Sequence, residues 1–495
     1  MLQQTEFLGG ADLGGGVVTF PNFFALQPNQ SPNAMDVKFG IGGTVEKRLG
    51  TSTLNSVALA STSGWGAFDF GATLLRWLIV SAGTGLYASS NRGITFVGIN
   101  SSRSQNYQYF ERSKSFLIAC GEARDPVLYW AGSVGTFAAQ LAPGSAPAVK
   151  HAVAYQGFLF LMNTAERPRG MYYSAEPDIL TDTWDSSFDL PSSFDDEITG
   201  AIILNRKLYV SMRYKLFRVS FIGGNPDFGY QDVKDWGWVP GTVKKITTPD
   251  KGEVIIALDW TNNIRIFDGS EDQIISDGFR ESNGEATVYM QAISDRVIDR
   301  CRAETDTVEQ VWKLLAPIGT ALHPSHAICY NYRIGAFYPY NYQAAGGFMK
   351  LQMAQSGNGQ VLIGIDSSGR VHIVDSGNLD RGTAQVNEFY DSPLIFSKNP
   401  QSVTKTQKVA LYFSPTSSGD IRFQLRSDLS NTFKGIDYPI SFANTGNQLQ
   451  RFAVIDVPET QNVLQFRISS SGSSLNPWKL NRLDVMGANL GVGKA

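Results

Sequence analysis

Ile363-Gly364-Ile365-Asp366-Ser367-Ser368-Gly369-Arg370-Val371-His372-Ile373 reads as two short apolar strands joined by a polar turn. Branched residues alternate on either side, and Asp, Ser and Gly supply the reversal. Residues 203–210, around Asn205-Arg206, and 256–266, around Asp259 to Asn263, repeat this grammar. Similar runs at 75–80, 116–119, 158–162 and 216–221 are each closed by turn formers. Spacings near ten residues are those of hairpin-connected antiparallel strands. Helical periodicity is missing, the best candidate being a turn near Ser294 to Cys301.

Short, evenly spaced strands leave sandwiches, barrels and propellers. The repeated strand–turn–strand unit is how propeller blades look in sequence. At about 40–50 residues a blade, roughly six to eight fit before residue 390. After Ser392-Pro393 the texture changes to cleanly alternating strands at 409–413, 421–426, 451–457 and 464–468, with a closing strand at 480–485. The expectation is an all-β chain: an extended N-terminal arm and hairpin in 1–50, a β-propeller in 51–390, and a jelly-roll-like β-sandwich in 391–495.

Composition supports this class. The 495 residues exceed the size at which one core keeps growing. Charged residues make up only 18 % and balance to −3, while 49 glycines and 12 % aromatics suit turn-rich β structure. The absence of a basic excess argues against a protein that holds nucleic acid by neutralising phosphates. From Asp391 onward 11 basic residues face 7 acidic ones, so the preceding part carries 31 against 38. Cys120, Cys301 and Cys329 are sparse, odd in number and outside any CxxC pattern, which reads as buried reduced thiols in a protein made in the cytosol. No secretion signal is visible, and the most apolar window, 74–80, contains Arg76 and is too short to span a bilayer.

The N-terminal stretch Leu26-Gln-Pro-Asn-Gln-Ser-Pro-Asn-Ala-Met-Asp-Val-Lys-Phe-Gly-Ile-Gly-Gly-Thr-Val-Glu-Lys-Arg-Leu-Gly50 reads as an extended arm and a hairpin. Pro28 and Pro32 keep the arm out of helix. Val37-Lys38-Phe39 goes out, Gly40 to Gly43 turns, and Thr44 to Arg48 returns. With Gly9-Gly10, Pro21, Gln30-Ser31-Pro32, Asn33-Ala34, Val37, Phe39, Gly43 and Lys47-Arg48, this stretch resembles the start of tailed-phage (podophage-type) tail nozzle and tail hub β-propeller proteins. It departs at Asp36, where Asn is usual, and at Leu49, where Pro is usual. Further segments are similar to blades of the same family. They are Asp195–Val210 with Lys215–Val219, Ile264–Gly269 with Ile274–Ser276, and Gln310–Leu315 with Ala327–Phe337.

The resemblance implies a virion structural protein rather than an enzyme, without cofactor, catalytic or metal site. Copies would form a homohexameric ring around the DNA ejection channel of the tail, assembled in the host cytoplasm. Its partners would be itself, tail or portal adaptor proteins, neighbouring tail or fibre proteins, and double-stranded DNA passing without sequence recognition. The arm would gain order on assembly. The interface residues expected on this reading are Gln30, Pro32, Phe39, Arg48, Trp236, Trp238 and Tyr340. The alternative is a carbohydrate-binding or glycan-cleaving propeller of a receptor-binding tail protein, with arginines and carboxylates converging on one face.

Other motifs are weaker. His323-Pro-Ser-His326 supplies at most two metal ligands on a chain that Pro324 keeps from a regular helix. Asp182, Asp185, Asp189, Asp195, Asp196 and Glu197 form a Ser-rich acidic loop that suits either a bound cation or plain solvation. Ser89-Ser90-Asn91-Arg92-Gly93-Ile94-Thr95-Phe96 looks like an Asp-box turn, with Asn91 capping the backbone and Thr95 and Phe96 packing between strands; Ser427 to Phe433 is a weaker echo. G-x-S-x-G and P-loop patterns do not occur.

Overall fold

The computed structural model describes residues 6–11, 13, 15–18, 29–40, 42–59, 65–72, 75–176, 178–193, 195–223, 227–279, 289–356, 359–393, 395–396, 402–414, 420–427, 433, 438–441, 452–461, 463–470 and 478–492. The arm residues from 19 to 28, with Pro21, Leu26 and Pro28, and the centre of the Ser427–Phe433 echo lie outside them.

Seven four-stranded antiparallel sheets form a β-propeller. Blades 1 to 6 each use four consecutive strands: Gly66 to Asn100, Gln108 to Gln140, His151 to Asp189, Ile198 to Lys234, Lys244 to Ile274 and Arg302 to Asn341. Blade 7 has only three of its own, Phe348–Ser356, Gly359–Asp366 and Val371–Val374. Its outer strand comes from the other end of the chain, Thr51–Thr53, paired antiparallel with His372, Ile373 and Val374. First strands of neighbouring blades pack together around most of the ring, that of blade 4 meeting the second strand of blade 5, and that of blade 7 packs against that of blade 1, which closes it.

Local chemistry explains the turns. Asn205 and Arg206 both have positive φ (50° and 61°), the geometry a two-residue hairpin of matching twist requires. Asp259 and Asp366, each following a blade's second strand, cap the next turn: Asp366 Oδ1 accepts the Ser368 and Arg370 N–H groups, and Asp259 Oδ1 those of Thr261 and Asn263. Between Trp236 and Trp238, a Cβ on Gly237 would fall 1.6 Å from the Met212 carbonyl oxygen, so only glycine fits there. Apolar clusters fill the spaces between neighbouring blades, as where Phe160 and Met171 of blade 3 meet Leu208 and Phe217 of blade 4. The link into blade 6 holds one helical turn, Tyr289–Ala292, and the 3-10 turn Ile298–Arg300 that sequence placed near Ser294 to Cys301. Among the described residues no helix is long and apolar enough to cross a membrane.

Beyond the propeller two six-stranded sheets pack as a β-sandwich. One contains Ser402–Phe413, Phe452–Gln461 and Lys479–Val492; the other contains Phe389–Asp391, Asp420–Ser427 and Val463–Ser470. The N-terminal segment is built into both. Glu6–Ala11 and the hairpin Val37–Gly40/Thr44–Lys47 pair with Lys479–Val492, while Ala34–Met35 pairs with Phe389–Asp391. The hairpin is as the sequence suggested, and the described arm residues, which form no core of their own, are buried in that of their neighbours. Leu13, Val17, Ala34, Val37, Phe39 and Val45 are buried in the same cluster as blade 6 and the sandwich.

Candidate functional site

Three polar constellations stand out: the junction where hairpin, propeller and sandwich meet, the propeller axis, and a cleft beside Trp236. The junction is organised by Lys47 and Arg48. Both are nearly inaccessible, and each has its own carboxylate. Lys47 Nζ lies 3.0 Å from Glu388, which also accepts the Trp478 indole N–H. Arg48 donates to Asp36 at 2.6 Å and forks onto Asp380 at 2.9 and 2.7 Å. Its guanidinium lies 4.9 Å from the Tyr342 ring centre and 5.8 Å from that of Tyr340. Asp36 sits at φ 54°, a conformation Asp and Asn tolerate, and its carboxylate also accepts the Asn341 N–H. Burial pushes its carboxyl up to about 6, outweighing the pull of Arg48. Nearby, Lys313 pairs with Asp375 and, at 3.5 Å, with Asp306.

Several residues expected at an intermolecular interface are therefore spent inside this chain. Phe39 packs between Tyr338 and Tyr390, Arg48 and Tyr340 are each 2 % exposed, and Trp238 is fully buried between blades 4 and 5. Pro32 is buried and Gln30 half-buried in the arm. Between them, Ser31 does the stitching, its hydroxyl donating to the Asn33 and Asp391 carbonyls. Trp236 lines a cleft beside blade 5, and Tyr340, with Arg48, lines a small cavity at the junction. The sequence reading included Ser31 and Lys47 in the Gln-Ser-Pro and Lys-Arg patterns but gave neither a role of its own.

The axis carries a second network, which sequence did not reveal. Arg302 opens the first strand of blade 6, yet its Nη2 lies 2.6 Å from Glu122 of blade 2, which also accepts the Tyr109 hydroxyl at 2.7 Å. Blades 2 and 6 are not neighbours in the ring, so this pair crosses the axis. The guanidinium lies 3.6 Å from the Tyr107 ring centre and donates to the Pro240, Asp299 and Cys301 carbonyls. A Tyr–Glu pair beside an arginine invites comparison with a glycosidase that uses a tyrosine nucleophile. Here burial pushes the Tyr109 phenol well up, the opposite of activation, and the two Nη groups of Arg302 are committed to Glu122 and to backbone carbonyls. Around the plug, Lys244 pairs with Glu304 and Lys150 with Glu197, each at 2.7 Å. His151, 4.8 Å from the Tyr109 ring, is pushed down to about 3 by burial, with Lys150 adding to the effect.

The remaining motifs are dispersed. His326 contacts Ser325 and is pushed down to about 4 by burial. In the acidic loop Asp182 caps Trp184, Asp189 pairs with Arg167, Asp196 caps Glu197 and Arg213, and Glu197 pairs with Lys150. Among the described residues no three His, Cys, Asp or Glu are grouped to hold a metal ion. Asn91 caps the Thr95 N–H as an Asp-box residue does, and Phe96 packs inward, but Thr95 is exposed. The three cysteines are buried and unpaired, and burial pushes the Cys120 and Cys301 thiols up to about 12.

No protein-family model matches the sequence, and no curated protein matches it. Similar solved structures include a chain of a mitotic checkpoint complex, at 10 % identity and TM-score 0.37 over 65 % of this chain and 96 % of that one. BBS1N in complex with ARL6DN, in a mercury-soaked crystal, matches at 10 % identity and TM-score 0.40 over 69 % and 98 %. Likeness at this level adds nothing to the strand pairing described above.

Proposed function

We propose that the chain is a virion structural protein of a phage tail, of nozzle or hub type, acting as a scaffold rather than an enzyme. Copies form a hexameric ring around the DNA ejection channel and contact tail or portal adaptor and fibre proteins. The observation that supports this best is that the segments resembling that family, scattered in sequence, are contiguous in space. They make up much of blades 4, 5 and 6, together with the arm, which lies along the outer strand of blade 6. There the Val17 N–H donates to the Phe337 carbonyl at 2.7 Å and the Asp36 N–H to that of Pro339 at 3.1 Å.

An axis crossed by the Arg302–Glu122 pair leaves no passage for a duplex, so the conduit on this reading is enclosed between copies, not within one propeller. Contact surface for neighbours is offered by exposed Val97, Val134 and Phe137 on blades 1 and 2, and by Phe221 and Ile222 on blade 4. A slightly acidic surface suits a conduit that releases its DNA.

Antibody raised against the chain, applied as immunogold to particles of the source virus, tests the proposal. Label on the tail with a copy number matching a hexamer is expected. Particles that carry no label would overturn it.

A further inference from the structure

Blades 4 and 5 enclose a cleft of about 420 Å³ where their second strands end, within the size range of small-molecule sites. Two tryptophans wall it, and an arginine lies against each. Arg265 is 5.3 Å from the Trp236 ring centre, and Arg213 is 4.5 Å from that of Trp260. The two arginines differ in charge balance. Arg265 is neutralised twice within the chain, by Asp259 at 2.6 Å and Asp272 at 2.8 Å. Asp259 is in turn committed to capping its own turn.

Arg213 has no carboxylate within ion-pair distance among the described residues. Its main-chain N–H is fixed by buried Asp196 at 2.8 Å, so the side chain starts from a pinned turn. Its Nε is shielded from solvent and meets no acceptor, and the same holds for the indole N–H of Trp236. Both atoms are closed to an oxygen the size of water's, as are Arg302 Nε and the Trp238 indole N–H elsewhere, so what the cleft offers a ligand is the half-exposed outer end of the Arg213 guanidinium. A guanidinium beside an aromatic ring is suited to gripping a carboxylate. The rim adds exposed Asp235 and Asp295. As acceptors for hydroxyl groups, they favour a ligand that carries hydroxyls beside its carboxylate over a bare carboxylate.

We propose that this cleft binds a carboxylate-bearing saccharide of the uronic or sialic acid type. The carboxylate sits on the outer nitrogens of Arg213, the sugar ring lies between the tryptophan walls, and the hydroxyls face Asp235 and Asp295. The inference does not rest on the tail reading; it concerns binding, and a scaffold protein accommodates it equally.

The test is titration of the full-length chain with glucuronate, N-acetylneuraminate, glucose and acetate, followed by tryptophan fluorescence and calorimetry. At least one acidic sugar is expected to bind roughly tenfold or more tighter than glucose and than acetate. Which of the two binds tighter assigns the uronic or the sialic type. Arg213→Ala should lose roughly tenfold or more of that affinity at unchanged melting temperature, and Arg213→Lys, which keeps charge but not the fork, should fall between. Failure of both acidic sugars to bind overturns the proposal, as does glucose or acetate binding equally well. Undiminished binding by folded Arg213→Ala or Arg213→Lys overturns it too.

Discussion

Arg48 and Arg213 both lie against aromatic rings, 4.9 Å from Tyr342 and 4.5 Å from Trp260, yet the regions around them are built for opposite purposes. At the junction the charge is balanced inside the chain by Asp36 and Asp380, and water is excluded. In the cleft the arginine is half-exposed, with no carboxylate of its own among the described residues. Arg302 on the axis is intermediate, with one carboxylate, Glu122, backbone carbonyls on its other Nη group, and a buried Nε that meets no acceptor. The difference teaches that an arginine's role is set by where its counter-charge comes from. Supplied by the same chain, it locks the fold; left unsupplied, it selects a ligand.

The largest effect should come from breaking the balanced end of this series. Arg48→Ala leaves Asp36 and Asp380 buried with no cation, which typically costs about 3–5 kcal/mol. Urea unfolding should show that loss, with the junction and the Thr51–Thr53 clasp released together. A variant within about 1 kcal/mol of the parent would mean that the junction does not hold the ends of the chain. Arg302→Met should cost less, about 2 kcal/mol, because Glu122 is partly exposed and can hydrate once freed.

A pH titration separates the same two regions by sign. His151, near the axis, is pushed from 6.5 to about 3, so between those values the unfolded chain holds a proton that the folded one does not. Its contribution is present above pH 6.5 and is lost on acidification, by about 2 kcal/mol at pH 5. Asp36 runs the other way. Its folded value, about 6, exceeds the ordinary 3.8, so the folded chain holds the extra proton and acidification from pH 6 towards 4 is stabilising for this group. His151→Phe should reduce acid lability, and Asp36→Asn should steepen it. Unfolding midpoints from pH 7 to 5 that move alike in both variants would remove the distinction.

What was legible in the sequence follows the range of the interactions. The Asn205-Arg206 turn, the Asp259 and Asp366 caps and the Val37–Lys47 hairpin depend on neighbouring residues, and alternation marks their strands. The partner of the hairpin and the clasp that completes blade 7 depend on residues at the far end of the chain, which no local pattern announces. Lys47-Arg48 was visible as a motif and Arg48 as an expected interface residue; only the carboxylates of Asp380 and Glu388, distant in sequence, let both cations be buried within the chain. Trp236 and Trp238 were both expected at an interface, but not that Gly237 between them would let one ring enter the core and the other line a cleft. Arg302 and Arg213 carried no signal, because the first acts across the ring and the second is defined by a partner it lacks.

The smallest expected effect is the most discriminating. Arg213→Ala removes no ion pair among the described residues, so its stability should stay within about 0.5 kcal/mol of the parent, as for surface sites away from caps and networks. Truncation also relieves a shielded Nε that has no acceptor, which offsets the lost contact with Trp260. Urea midpoints of Arg213→Ala and Arg48→Ala measured side by side give the comparison directly. A loss at Arg213 approaching that at Arg48 would show that the cleft arginine serves the fold after all, through an internal partner, and the contrast between the two regions would collapse.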